Sequence, residues 1–265
     1  MKHMMMDCYG AVNFKLDDMN GIYDLLNGMA NVAKVEPVSP PILIPYYYCE
    51  DKEDVGISAY LFLKGGHITI HTFSKRECYF VDVMYDGFFN AEVLHNYLDV
   101  HLPFNEGISS YCVNDRRMTE QSEEQVTTED FGPHLVGRIR PNKTITLDSA
   151  FDALERLVRA ADMTPISRAN VIKDNSSNPS FIQGIIVIAQ SHISLYYDIA
   201  NDVLYFDLFS CAYFEYERVE KIITELFGEM ESMQLVKRGD KYVISRSDDV
   251  DLNISRASAR WQKNV

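Results

Sequence analysis

The sequence predicts an α+β fold of two repeats, each an antiparallel sheet with helices on one face, packed as an α/β/β/α sandwich. Three observations predict it. Gly66-His67-Ile68-Thr69-Ile70-His71, running on to Tyr79-Phe80-Val81-Asp82-Val83, returns at an offset of 125 residues as Ser191-His192-Ile193-Ser194-Leu195-Tyr196, running on to Val203–Cys211. Upstream, two stretches with one apolar helical face recur at an offset of 131, and the same offset carries His3 onto His134. Between repeated strands the turns are short, which favours antiparallel pairing. A repeat on this scale decides the fold before local propensity does.

The elements follow in order. A strand runs from His3 to Val12. Leu16-Asp17-Asp18 then opens a helix whose Ile22, Leu25, Leu26, Met29 and Ala33 share one face. The fall in offset from 131 to 125 implies about six extra residues in the first repeat, placed by expectation in the loop Tyr46 to Asp54, where insertions are tolerated. Ser58–Leu63, His67–Phe73 and Cys78–Tyr85 read as three strands, closed by a helix carrying Leu94, Tyr97, Leu98, His101 and Leu102. The second repeat restates this: a strand at Pro133-His134-Leu135, then a helix opened by Leu147-Asp148-Ser149. Strands Gly184–Ile188, His192–Tyr197 and Val203–Phe209 follow, then a helix with Val219, Ile222, Ile223, Leu226 and Phe227. The domains are therefore residues 1–102, a polar acidic linker 103–131, residues 132–235, and a polar peripheral tail 236–265. A hairpin through Lys64-Gly65 sets Ser58 directly opposite His71, and the same register puts Ala189-Gln190 in the turn of the second repeat.

Composition narrows the function. With 46% hydrophobic and 24% charged residues, the chain reads as a soluble globular protein. A formal charge of −14 argues against a nucleic-acid partner, which needs clustered Lys and Arg, and suits a cationic small molecule. Five widely spaced cysteines without a CxxC pair fit a reducing compartment and speak against a zinc site or a disulfide framework. No long apolar run and no signal-peptide pattern occur, so a cytoplasmic protein without a membrane partner is expected.

The repeated strand, Ser-His-Ile-Ser, strand and Cys resembles the S-adenosylmethionine decarboxylase family over roughly 200 of the 265 residues. Its sharpest pieces are Gln190-Ser191-His192-Ile193-Ser194, Gly66-His67-Ile68-Thr69-Ile70-His71-Thr72 and Phe209-Ser210-Cys211. Lys2-His3-Met4 and Pro133-His134-Leu135 are similar to the family's opening strand. The resemblance implies an enzyme that cuts its own backbone before a serine and converts that serine to a pyruvoyl group, with no metal or external cofactor. Ser191 matches the processing serine, and Cys211 the proton-donating cysteine. Ser58 and His71 match the serine and histidine that assist. The cleaved bond is then Gln190–Ser191, and the implied reaction is decarboxylation of S-adenosylmethionine for spermidine synthesis.

Losses in the two repeats are complementary. The first has Gly66 and Asp86 where serine and cysteine are expected; the second has Gln183 and Tyr196 where the assisting serine and histidine are expected. The family's site lies between two copies, so the resemblance implies one whole site, built from Ser58 and His71 with Ser191 and Cys211. His67, His192, Asp82 and Asp207 recur in both repeats and read as structural. Three departures bear on the substrate: Gln190 replaces a glutamate, Lys75 stands where a ribose-binding glutamate is expected, and Cys49-Glu50-Asp51-Lys52 fills the adenine-stacking loop, with Tyr46, Tyr47 and Tyr48 nearby. These keep open a cationic amino acid such as arginine or ornithine as substrate, a non-catalytic protein that binds a metabolite or regulates a decarboxylase, and further self-association.

Overall fold

The strand Gly66–Phe73 is buried at every position, although Ile68 and Ile70 alternate with His67, Thr69 and His71. Successive strand side chains take opposite faces, so such a strand must be covered twice. Helices cover its apolar side, and a second sheet covers its polar side.

The computed structural model describes residues 1–49, 51–117, 122–123, 132–175, 180–189 and 191–239. Strands β1 (Lys2–Tyr9), β2 (Ile42–Tyr46), β3 (Gly56–Leu63), β4 (Gly66–Phe73), β5 (Cys78–Tyr85) and β6 (Ser110–Asp115) form a six-stranded sheet ordered β2-β3-β4-β5-β1-β6. A short turn of helix, α1 (Asn13–Leu16), precedes α2 (Met19–Ala33), and α3 (Ala91–His101) completes the first repeat. The second sheet comprises β7 (Ser122–Glu123), β8 (Gly132–Ile139), β9 (Asn170–Asp174), β10 (Phe181–Ile188), β11 (Ser191–Asp198), β12 (Val203–Phe209) and β13 (Met230–Arg238), ordered β7-β13-β8-β12-β11-β10-β9. Its helices are α4 (Leu147–Ala160) and α5 (Tyr216–Phe227). All pairings are antiparallel except the short β7–β13 contact.

Each sheet has one helix-facing core. Ile22, Leu25, Leu26 and Met29 of α2 and Leu94 and Leu98 of α3 pack on Ile57, Ala59, Leu61, Ile68 and Ile70. Leu154 and Leu157 of α4 and Val219 and Ile223 of α5 pack on Ile182, Ile186, Ile193 and Leu195. Burying each such aliphatic side chain contributes about 1.5–3 kcal/mol. The opposite sheet faces meet each other: Tyr60 and Phe62 pack against Ile185 and Val187, and Phe73 and Phe80 against Phe209. The expected α/β/β/α sandwich is therefore the fold observed.

Three local expectations are corrected. Helices α2 and α4 start at residues 19 and 147, an offset of 128 rather than 131, with Asp18 and Thr146 as their N-caps. The six-residue difference is thus split in two. Half lies around α1, and half lies in the loop between β2 and β3. Second, residues 110–115, read as part of a linker, form edge strand β6 along β1. Third, the supposed peripheral tail begins inside β13, which pairs with β8 and ends on a buried Arg238. Most of the acidic run 119–125, and the chain from 240 onward, lie outside the described residues. No helix among the described residues is long and apolar enough to cross a membrane.

Candidate functional site

Polar side chains of both inner faces converge midway between the sheets. The β3–β4 hairpin turns through Lys64-Gly65 and sets Ser58 opposite His71. Ser58 Oγ lies 2.9 Å from His71 Nδ1, and both side chains are fully buried. On its other edge the His71 ring meets the second sheet, with Nε2 2.9 Å from Nδ1 of His192. His192 Nε2 faces Asp207 Oδ1 at 3.3 Å. Burial presses His71 well below the ordinary imidazole range, so it is neutral at neutral pH.

Ser191, immediately before His192, begins β11 directly across from Ile188. Ala189 lies in the turn that precedes Ser191, and Gln190 lies outside the described residues. The chain leaving β12 comes back over this turn. Cys211 N–H donates to Ser191 Oγ at 2.8 Å, and Cys211 Sγ donates to the Ala189 carbonyl at 3.4 Å. Cys211 also packs beside Phe73, Cys78 and Phe80 of the first repeat. Burial pushes its thiol up to about 12, which keeps the proton on sulfur at neutral pH.

The pseudo-symmetry-related location carries different side chains. Gly66 sits so close to β5 that a Cβ there would fall 1.8 Å from the Met84 carbonyl oxygen, so this turn has no room for a serine in its present path. Gln183 Nε2 donates to the Leu63 carbonyl at 2.9 Å, Tyr196 stacks on Phe181, and Asp86 pairs with Arg117. These residues make structural contacts.

Around both locations runs a buried ionic network that the sequence did not announce. Arg238 Nε lies 2.6 Å from Asp7 Oδ1, its Nη1 is 2.8 Å from Asp82 and 3.0 Å from His134 Nδ1, and its Nη2 donates to the Met6 carbonyl at 3.1 Å. Arg116 is its counterpart. It reaches His3 Nδ1 at 3.1 Å and donates to the carbonyls of Gly137 and Phe206 at 2.9 and 2.6 Å. One carboxylate, Asp82, is thereby clamped by arginine. Asp82 also faces His3 and His134 at 3.3 and 3.8 Å, while its equivalent Asp207 has imidazoles alone as ion-pair partners among the described residues: His192, and His67 with Nε2 3.9 Å from Oδ2. Burial raises the Asp207 carboxyl, but the His192 contact and neighbouring imidazoles hold it well below the usual carboxylate range. Two groups, His3–Asp82–His134 and His67–His192–Asp207, have ligand-type atoms within 4.8 Å of one another.

The residues tied to substrate choice lie at the rim. Lys75 is exposed in the helical turn Ser74–Arg76 that follows β4. Arg76 ties this turn to Asp51, Glu53 and Asp54 of the β2–β3 loop at 3.0, 3.2 and 2.7 Å. Tyr48 is 92% exposed, and Tyr47 bonds Asp17, while Glu50 lies outside the described residues.

Residues 2–109 match the family model of S-adenosylmethionine decarboxylase. That span is the first repeat, which carries Ser58 and His71. Among solved structures that match is the adenosylmethionine decarboxylase from Aquifex aeolicus VF5, 22% identical, covering 47% of this chain and 96% of that one, with a TM-score of 0.38. No curated protein matches the sequence.

Proposed function

Because residues 2–109 match the family model of S-adenosylmethionine decarboxylase, we propose that the chain is a self-processing pyruvoyl-dependent decarboxylase with one composite site. The observation that carries this reading is the meeting of the two repeats. The Ser58–His71 pair of the first lies 2.9 Å from His192 of the second, next to Ser191, whose hydroxyl is held by Cys211.

Processing begins at the Gln190–Ser191 bond. Ser191 Oγ attacks the Gln190 carbonyl and replaces the amide by an ester, with Cys211 N–H fixing the oxygen and the Ser58 hydroxyl supporting the oxyanion. His71 then takes the α-proton of residue 191, and the carboxylate of Gln190 leaves as the new chain end. Water releases ammonia from the remaining dehydroalanine and leaves a ketone on residue 191. That pyruvoyl group supplies the electron sink for loss of carbon dioxide from an amine substrate. Ser191 fits as its precursor, because the side chain lies at a turn, fully buried, with a donor on its oxygen. Cys211 Sγ holds a proton for return to carbon, and the closed sheet-to-sheet interface excludes water.

The substrate proposed is S-adenosylmethionine, in spermidine synthesis. Lys75 leaves room for a second reading: it stands where the family carries a ribose-binding glutamate, so a contact to an adenosyl group is lost, and an amino acid such as arginine or ornithine is the alternative substrate. Intact mass of the purified chain tests the class. Fragments 1–190 and 191–265, the second with a blocked start, are expected. Ser191→Ala should remain whole, and His71→Ala should slow cleavage by about 10²–10⁴-fold. An uncut wild-type chain after long incubation would leave a non-catalytic binding or regulatory protein. Carbon dioxide release from carboxyl-labelled S-adenosylmethionine, arginine and ornithine separates the substrates.

A further inference from the structure

Asp207, His192, His71 and Ser58 form one file of contacts across the sheet interface, at 3.3, 2.9 and 2.9 Å. All four side chains are fully buried. This file has no counterpart at the pseudo-symmetry-related location, where Gln183 and Tyr196 replace Ser58 and His71 and where Asp82 is taken up by Arg238. Asp82 contacts Arg238 as well as His3 at 3.3 Å, whereas Asp207 has no arginine at ion-pair distance among the described residues and faces His192 at 3.3 Å. We infer that Asp207 and His192 are positioning residues that fix the tautomer of His71, so that its Nδ1 lone pair faces Ser58. The inference rests on the reading of His71 as the processing base.

A nitrogen lone pair facing a carboxylate oxygen at 3.3 Å would be repelled, so His192 Nε2 carries hydrogen. In the proposed arrangement each ring carries one proton, and His192 Nδ1 is the acceptor. Nitrogens 2.9 Å apart share one hydrogen, which therefore belongs to His71 Nε2. His71 Nδ1 is left unprotonated and accepts from the Ser58 hydroxyl. When His71 gains a proton at Nδ1, its Nε2–H already points along the file toward the Asp207 charge, which stabilises the imidazolium. A carboxylate orients a catalytic imidazole in the same way in serine hydrolases. Groups facing this file from neighbouring elements are His67 on β4, His3 on β1, His134 on β8, Arg116 beyond β6, and Arg238 and Asp82 across the interface. His67 is pushed by burial down to about 4 and is neutral, so it adds no competing cation.

Asp207→Asn tests this at constant shape, because the amide can donate to His192 Nε2 and reverse every proton in the file. The uncut Ser191→Ala chain, with 15N-labelled histidine, reports the His71 tautomer by NMR whether or not the wild type processes. Expected are a protonated Nε2 and bare Nδ1 in the parent, the opposite pattern with Asp207→Asn added, and cleavage at least about 100-fold slower in the Asp207→Asn single variant at unchanged His71 identity. His192→Gln, which can still accept from His71 Nε2 and donate to Asp207, should keep the parent tautomer and cleave faster than His192→Leu; this pair decides the matter if Asp207→Asn does not fold. A His71 tautomer indifferent to Asp207→Asn, a doubly protonated His192, or stoichiometric zinc or iron on His67, His192 and Asp207 would each overturn the inference. Tautomer reversal with a wild type that never cleaves would uphold the file and remove the processing reading alone.

Discussion

Cys211 makes two contacts with different chemistry. Its backbone N–H holds Ser191 Oγ, and its thiol, pushed up to about 12 by burial, rests on the Ala189 carbonyl. Exchanging the side chain alone should separate them. In Cys211→Ser the backbone donor persists, so self-cleavage should proceed within about threefold of wild type. Turnover should fall by about 100-fold, because a serine hydroxyl is a far poorer proton donor. Single-turnover cleavage followed by mass, set against steady-state carbon dioxide release, reads the two effects; equal losses in both would tie the thiol to processing instead. Cys211 is legible in the sequence because it stands twenty residues after Ser191, as the family resemblance requires. His192 is not, since its presence in both repeats made a structural role the simplest account. Only the contact with His71 distinguishes it from His67.

At the level of the element, the hairpins were readable and the outer strands were not. A two-residue turn fixes strand register, so Ser58 opposite His71 follows from Lys64-Gly65 alone. The helix offset was misread by three residues because three is nearly one helical turn, and apolar positions shifted by one turn stay on the same face. Strands β6 and β13 escaped because neither has an apolar alternation: β6 is largely exposed, and β13 mixes Glu231, Gln234 and Lys237 with Leu235. Each nonetheless leads to an arginine that reaches between the sheets. Of the two, Arg238 holds carboxylates directly, whereas Arg116 mostly holds neutral carbonyls and His3. Removing one member of a buried ion pair strands the other, at a cost of about 3–5 kcal/mol. Arg238→Met should therefore lower unfolding stability by about that amount, and Arg116→Met by distinctly less. Urea midpoints of the two variants measure the difference, and equal midpoints would show that the Asp7 and Asp82 pairing contributes nothing special.

For the whole molecule, a polar interface between two sheets makes folding sensitive to acid in a defined window. His3, His67, His71 and His134 are all lowered from 6.5 by burial, His67 to about 4. Above pH 6.5 they are neutral whether folded or unfolded, and they contribute no pH dependence. Below it the unfolded chain binds protons that the folded chain refuses, so stability falls as pH falls. For His67 the loss continues to about pH 4 and amounts to about 3 kcal/mol. Asp82 and Asp207, held well below 3.8, extend the loss at still lower pH, where the unfolded carboxylates take protons before the folded ones do. Urea unfolding from about pH 7.5 to about pH 5 should accordingly show a midpoint that is flat at first and drops once the pH passes below about 6.5, with up to four protons taken up per molecule unfolded. His67→Leu should flatten that dependence by about one proton. A midpoint constant across this range would mean that the interface histidines are already charged or solvated in the folded protein, and the neutral His71 needed as a base would be lost with it.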